Sequence, residues 1–256
     1  MKQAWNEATY DRLAAVVSPA QDDLLARLEP QAGERWLVLE TGSSTIALHS
    51  ARAGADVTAL DSSAPVAEGL RSDAEEEGLV LRSDVGNVEY LPYDDASFDV
   101  LASDFGLIFA HDHAGVAAEL ARVALPGARL GFTAWKPDLK LGELYRRFTE
   151  EALEGRESSE WGREDHVEDM LAEDFELEFH DGTLWIDASS GEELWELLST
   201  TAPPVQALLA KLDEDDDGGA GADAFHRAFV DLYERYRKGD RICAPRRYLL
   251  TTGTRR

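Results

Sequence analysis

The sequence holds a single cysteine, Cys243, in 256 residues. That excludes an intrachain disulfide and any metal site built from several thiolates. It also lacks the run of about 18 or more apolar residues that a membrane-crossing helix needs. The opening stretch MKQAWNEATYDRL has no basic-then-apolar layout of a signal peptide, so a cytoplasmic location is the expectation. Lysine is scarce, at Lys2, Lys136, Lys140, Lys211 and Lys238 alone. Positive charge as a whole is outnumbered, 25 Lys and Arg against 51 Asp and Glu, for a formal net charge of −26. Such a field repels phosphate backbones and anionic lipid surfaces, so neither nucleic acid nor membrane is expected as a partner. Two readings of the acid excess stand open: adaptation to a high-salt cytoplasm, where screening offsets self-repulsion, or an ordinary solvated acidic surface from an arginine-favouring genome.

No internal repeat is visible. What is present is an alternation of apolar runs and helical patterns. Residues 6–29 carry apolar positions at helical spacing (Leu13, Val16, Val17, Leu24, Leu25, Leu28), with Pro19 as an expected break. RWLVLE (35–40) reads as a buried strand between Gly33 and Gly42. Residues 44–54 read as a helix capped by Ser43 or Ser44 and stopped at Gly54. Strands follow at 56–61, 80–84, within 98–109, and at 128–135, separated by helices at 65–78 and 114–125. This rhythm implies right-handed crossovers and a mostly parallel, doubly wound α/β sheet. In such a sheet ligands bind beyond the carboxyl ends of the strands.

After Trp135 the rhythm changes, and residues 136–245 read as a helical cap. Residues 136–172 look helical and polar. FELEFHDGTLWID (175–187) reads as a strand pair turning at Asp181-Gly182. Helices are expected at 190–200, 203–212 and 222–237, and RRYLLTTGT (246–254) as a last antiparallel edge strand. DEDDDGGAGAD (213–223) reads as a mobile loop whose acid spacing is not that of an EF-hand, and no metal site is expected. The aromatics Phe148, Trp161, Trp185, Trp195, Phe225, Phe229, Tyr233 and Tyr236 either line an apolar pocket or form the core of the cap helices.

Strand, small-residue turn, helix, strand, acid is the layout of a nucleoside-cofactor site. The acid, Asp61, comes 19 positions after Gly42, near the usual spacing of about 20. Asp61 equally suits capping of the next helix, and an NAD-binding fold would share the layout.

A wider set of motifs narrows this. VLETG (38–42), VTALD (57–61), SDVGNVEYLPYDDASFDVLASDFGLIF (83–109) and ELARVALPGARLGFTAW (119–135) follow one another at matching intervals. Together they resemble the successive motifs of class I S-adenosylmethionine (SAM)-dependent methyltransferases, in the small-molecule group. The resemblance covers roughly residues 5–135 and returns at RYLLTTGT. It implies a seven-stranded Rossmann-like sheet, SAM as cofactor and a small-molecule acceptor. The acidic field favours a neutral or cationic acceptor, and a monomer or homodimer is expected. It also implies residue roles. Asp61 would hold the ribose, with Ser62 beside it. Asp84 would meet the adenine amino group and Val85 the adenine face. Glu40 would organise the cofactor loop, to which Gly42, Ser43 and Ser44 offer donors. Ser103 to Phe105 would lie under the methionine moiety. Trp5 and Tyr10 either sit where the family's N-terminal helix folds over the cofactor or serve as ordinary packing residues. His111, His113 and Asp104 are the candidate proton acceptors, while His49 and Cys243 read as structural.

The loop departs from the family pattern. Where the family has three glycines, ETGSSTIALHSARAG keeps only Gly42, and alignment from the following strand makes the loop about two residues short by the family spacing. Ile46 is β-branched and resists positive φ. Weakened SAM affinity is one expectation. A methyltransferase-like protein that binds a ligand or partner without efficient catalysis is the alternative.

Overall fold

A computed structural model describes residues 7–42, 44–148, 160–215 and 219–256. The first helix, α1 (Glu7–Leu28), runs through Pro19 rather than breaking there. A helix-interior proline costs about 3 kcal/mol. Leu24, Leu25 and Leu28 are all buried just beyond it, and each contributes about 1.5–3 kcal/mol on burial, so packing outweighs the lost backbone bond. Leu24 and Leu28 lie against the bare Cα of Gly131, where a side chain would collide with them.

Five parallel strands follow: β1 (Arg35–Leu39), β2 (Asp56–Asp61), β3 (Arg82–Val85), β4 (Phe98–Asp104) and β5 (Ala124–Trp135). Between them come α2 (Thr45–Arg52), α3 (Ala64–Glu76) and α4 (His113–Val123). The central strands are near-continuous apolar runs because both faces are covered. Trp36, Leu37, Val38 and Leu39 of β1 are buried, as are Val100, Leu101 and Ala102 of β4. The chain continues through α5 (Leu139–Arg146), α6 (Glu164–Leu171), β6 (Phe175–Ala188), α7 (Gly191–Thr201), α8 (Pro203–Asp215), α9 (Ala220–Glu234), β7 (Arg237–Lys238) and β8 (Arg241–Arg255). The sheet order is β3-β2-β1-β4-β5-β8-β6, with short β7 paired to β8. The fold is therefore mixed α/β with a mostly parallel sheet, as the sequence predicts, though short β7 makes the sheet eight-stranded rather than seven-stranded.

Two expectations change. Residues 246–254 do form a strand antiparallel to β5, but β8 lies between β5 and β6 and is not an edge. Residues 175–188 form one continuous strand, not a hairpin at Asp181-Gly182. The glycine serves a close approach instead: a Cβ at Gly182 would overlap the Tyr248 ring on β8. Gly182→Ala is thus expected to cost about 1–3 kcal/mol of stability through overpacking, read as a lower urea midpoint. An unchanged midpoint would mean that the ring is not seated there.

The chain divides into two compact units. The α/β unit comprises Ser18–Lys136, Ser158–Gly182 and Arg247–Arg256. The other unit comprises Met1–Val17, Pro137–Glu157 and Thr183–Arg246. Its core gathers Leu194, Val205, Leu208, Phe225, Phe229 and Tyr233, with Phe148, Trp195 and Tyr236 packed on it. Two of the aromatics grouped with them in the sequence lie elsewhere. Trp161 is fully buried in the α/β unit, and Trp185 is 53% exposed. Of the expected acidic loop, residues 213–215 belong to α8 and residues 220–223 to α9, while residues 216–218 lie outside the described residues. Among the described residues no helix is long and apolar enough to cross a membrane.

Candidate functional site

The strands β1, β2, β3 and β4 end in Leu39, Asp61, Val85 and Asp104, and the order of the sheet reverses between β1 and β4. That is where an open α/β sheet leaves a crevice. A cavity of about 440 Å³ opens there, lined by Glu40, Ser62, Val85 to Glu89, and Phe109 to His111.

The backbone around it is locally strained. Glu40, Ser44 and Phe105 have φ values of 50°, 61° and 53°, in the left-handed region that costs a non-glycine residue roughly 1–2 kcal/mol. Ile46, by contrast, sits inside α2 and is buried. The turn after β1 absorbs its missing glycines at Glu40 and Ser44 and keeps the β-branched residue helical. Gly106 makes room for this, since a Cβ there would strike the side chain and carbonyl of Glu40.

Two acids divide the work at this turn. Asp61 is 5% exposed, and both of its oxygens are engaged by its own chain. Oδ1 accepts from the Ser63 N–H at 2.8 Å, and Oδ2 from Thr41 Oγ1 and the Gly42 N–H, each at 3.3 Å. Asp61 thereby ties the loop to the start of α3. Glu40 instead lines the cavity, where Ser62 Oγ donates to its Oε2 at 2.8 Å. Burial, and then the nearby negative charge of Asp61, push the Glu40 carboxyl up to about 7, although the Ser62 hydrogen bonds oppose the shift.

The other expected residues fall into three groups. Val85 is 52% exposed and lines the cavity, as do Ser62 and His111. The His111 turn is held by Glu89, whose Oε1 accepts from the N–H groups of His111 at 2.5 Å and Asp112 at 2.9 Å. Those bonds keep the Glu89 carboxyl below its ordinary value. Asp84 Oδ2 pairs with Arg82 Nε at 2.7 Å and accepts from the Tyr93 hydroxyl at 3.1 Å.

Ser103, Asp104 and Phe105 form a second group, packed into the strand ends. Ser103 Oγ donates to the Leu39 carbonyl at 2.9 Å. Asp104 accepts from Gln21 Nε2 at 2.8 Å and from Thr133 Oγ1 at 2.6 Å, and burial raises its carboxyl to about 6. Phe105 stacks on Trp135 with ring centres 4.0 Å apart. His113 belongs to a third group, beside His166 and Glu160, and does not line the cavity. Ser43 and Trp5 lie outside the described residues, and the Tyr10 side chain is likewise not described.

Sequence reasoning did not single out Thr41, Glu89, Gln21 or Thr133. Each acts by accepting or donating across the fold, and no local pattern marks such a residue.

The crevice lies at the carboxyl ends of parallel strands, where open α/β sheets take their ligands, with a carboxylate inside it and an acid-tethered turn beside it. Comparison with known proteins agrees. Residues 39–132 match the family model described as a methyltransferase domain. An uncharacterized protein of Mycobacterium tuberculosis is 31% identical over 176 residues, 66% of this chain and 64% of the relative. The match thus spans about 64% of that relative's length. A demethylmenaquinone methyltransferase of Thermus thermophilus is 32% identical over 127 residues, 48% of this chain and 58% of that one. Among solved structures, a geranyl diphosphate methyltransferase in complex with SAM superposes with a TM-score of 0.59 at 19% identity, covering 100% of this chain and 93% of that chain. Residues 39–132 thus match a methyltransferase domain, and the chain shares its α/β fold with that solved methyltransferase.

Proposed function

We propose that the α/β unit binds SAM across the strand ends and transfers its methyl group to a small neutral or cationic acceptor. The observation that carries this reading is the Glu40 carboxylate inside the crevice, with Ser62 at its side and Val85 exposed beyond it. The family match supports the cofactor, and the acidic field of the chain suits a sulfonium cation.

The roles of the two acids are exchanged relative to the family pattern. Glu40, not Asp61, accepts from the ribose hydroxyls. Asp61 stays committed to Thr41, Gly42 and Ser63 and acts as the loop's tether. Val85 lies against the adenine face, and Asp84 takes the adenine amino group through Oδ1, its Oδ2 being held by Arg82 and Tyr93. Methyl transfer from a sulfonium is governed by positioning more than by acid–base groups. Of the three candidate proton acceptors His111 lines the crevice, and it takes the acceptor's proton where one must leave.

Calorimetric titration with SAM at pH 8 tests this. Wild type is expected to bind one equivalent. Glu40→Gln is expected to bind about 10- to 100-fold more weakly, because a hydrogen bond to a charged acceptor contributes roughly 1.5–3 kcal/mol. Equal affinity of the two proteins would remove the Glu40 assignment, and no binding by wild type would remove the cofactor.

A second reading has its own observation. The Gly42 N–H, which a cofactor carboxylate would need, already donates to Asp61. A protein that holds an adenosyl ligand without efficient catalysis would show binding but no turnover with any acceptor.

A further inference from the structure

We propose that His113, Glu160 and His166 form a binding site for a borderline divalent transition metal such as Zn²⁺, apart from the cofactor crevice and independent of the methyltransferase reading. Nδ1 of His113 and Nε2 of His166 stand 2.8 Å apart, and Nδ1 of His113 is 3.5 Å from Oε2 of Glu160. The three ligand atoms lie within 4.8 Å of one another. Around a tetrahedral zinc with ligands at about 2.0–2.1 Å, neighbouring ligand atoms are separated by roughly 3.3 Å. Of the three pairs, His113–Glu160 is already near that separation, His113–His166 must open by about half an ångström, and Glu160–His166 lies within 4.8 Å, so χ adjustments at Glu160 and on α6 close the set.

The three side chains are set by rigid surroundings. His113 is the first residue of α4, whose cap is Asp112, accepting from the Gly115 N–H at 2.9 Å. Glu160 opens the short turn Glu160–Gly162, which is anchored by buried Trp161 and by Gly162, where a Cβ would run into the Trp135 carbonyl. Trp161 packs 5.0 Å from the His113 ring and 5.7 Å from the His166 ring. His166 presents itself from α6, one turn after Arg163.

The donor set decides the kind of ion. Two imidazoles and one carboxylate suit zinc and its neighbours, and they suit Mg²⁺ and Ca²⁺ poorly, because those ions take oxygen ligands. Three protein ligands leave a fourth position open. Two of the ligands, Glu160 and His166, line a cavity of about 180 Å³ together with Arg163, Asp165 and Asp169. Asp165 there is paired with Arg163, while Asp169 and the net charge of −26 raise the local concentration of cations. The competing occupant is a proton shared between the two imidazoles beside Glu160, which is the same electrostatic preference met by a smaller cation.

The test uses the full chain, stripped with a chelator and titrated with Zn²⁺ by calorimetry at pH 7.5, with Co²⁺ as a spectroscopic probe. One equivalent of Zn²⁺ is expected to bind, with millimolar Mg²⁺ or Ca²⁺ failing to compete. Co²⁺ is expected to give visible bands of low-symmetry, four- or five-coordinate type. His166→Gln and Glu160→Gln change partly exposed side chains, so the fold is kept, and each is expected to weaken Zn²⁺ at least 10-fold and to abolish the cobalt bands. No saturable binding at one equivalent would overturn the proposal. So would an affinity within twofold of wild type in both variants. SAM titrated into the same variants is expected to bind as in wild type, so the failure of either site is distinguishable from that of the other.

Discussion

Asp61→Ala is expected to lower the unfolding free energy by about 3 kcal/mol and to abolish measurable SAM binding. The alanine removes a carboxylate with almost no solvent contact and leaves three donors without their acceptor: Ser63 N–H, Thr41 Oγ1 and Gly42 N–H. The turn that carries Glu40 into the crevice would then lose its side-chain tether, and the left-handed conformations of Glu40 and Ser44 would be held less firmly. Urea unfolding and SAM calorimetry on the same preparation read both effects. Asp61→Asn removes the negative charge that raises Glu40 and keeps one acceptor oxygen, while its NH2 group faces donors on the other side. SAM binding is expected to weaken less than in the alanine variant, with its pH midpoint moved down. If Asp61→Ala left stability unchanged and only weakened SAM, Asp61 would be the ribose ligand after all.

SAM affinity of the wild-type protein is expected to rise about tenfold between pH 6 and pH 8. Ribose hydroxyls donate to an ionised carboxylate. With Glu40 titrating at about 7, its ionised share grows from about one tenth to about nine tenths over that interval. Stability of the ligand-free protein runs the other way. A carboxyl whose folded value lies above its unfolded value of 4.5 holds its proton more tightly when folded. Folding is therefore favoured at low pH, and that advantage is lost as pH rises from about 4.5 through about 7. The shift corresponds to roughly 3 kcal/mol at most. Asp104, raised to about 6 by burial, adds a loss of the same sign at slightly lower pH. The melting temperature of the free protein should fall over this range, while the increment produced by SAM grows. Glu40→Gln should remove the Glu40 share of both slopes. A SAM affinity flat from pH 6 to 8 in wild type would mean that Glu40 does not touch the ligand.

The parallel core was legible because its central strands β1 and β4 are near-continuous apolar stretches, and burial on two faces admits little else. The Asp181-Gly182 turn was misread because that dipeptide's local preference for a hairpin is strong, while the need for a bare Cα under Tyr248 is tertiary and leaves no local mark. Pro19 was misread for the same reason, its cost being overcome by leucines packed a turn later. In the crevice, the identity of the acids at the strand ends could be read from motif order. Their division of labour could not. It follows from how a shortened turn points two side chains, and that depends on the positive φ of Glu40. The cluster of His113 and His166 joins residues 53 positions apart, from two helices, and no spacing rule connects them.

The most direct measurement is a crystal structure of the protein with S-adenosylhomocysteine at pH 8. Both ribose hydroxyls should lie within hydrogen-bond distance of the Glu40 carboxylate, with Asp61 still holding Thr41, Gly42 and Ser63. A ribose bound to Asp61, with Glu40 turned away, would contradict the account.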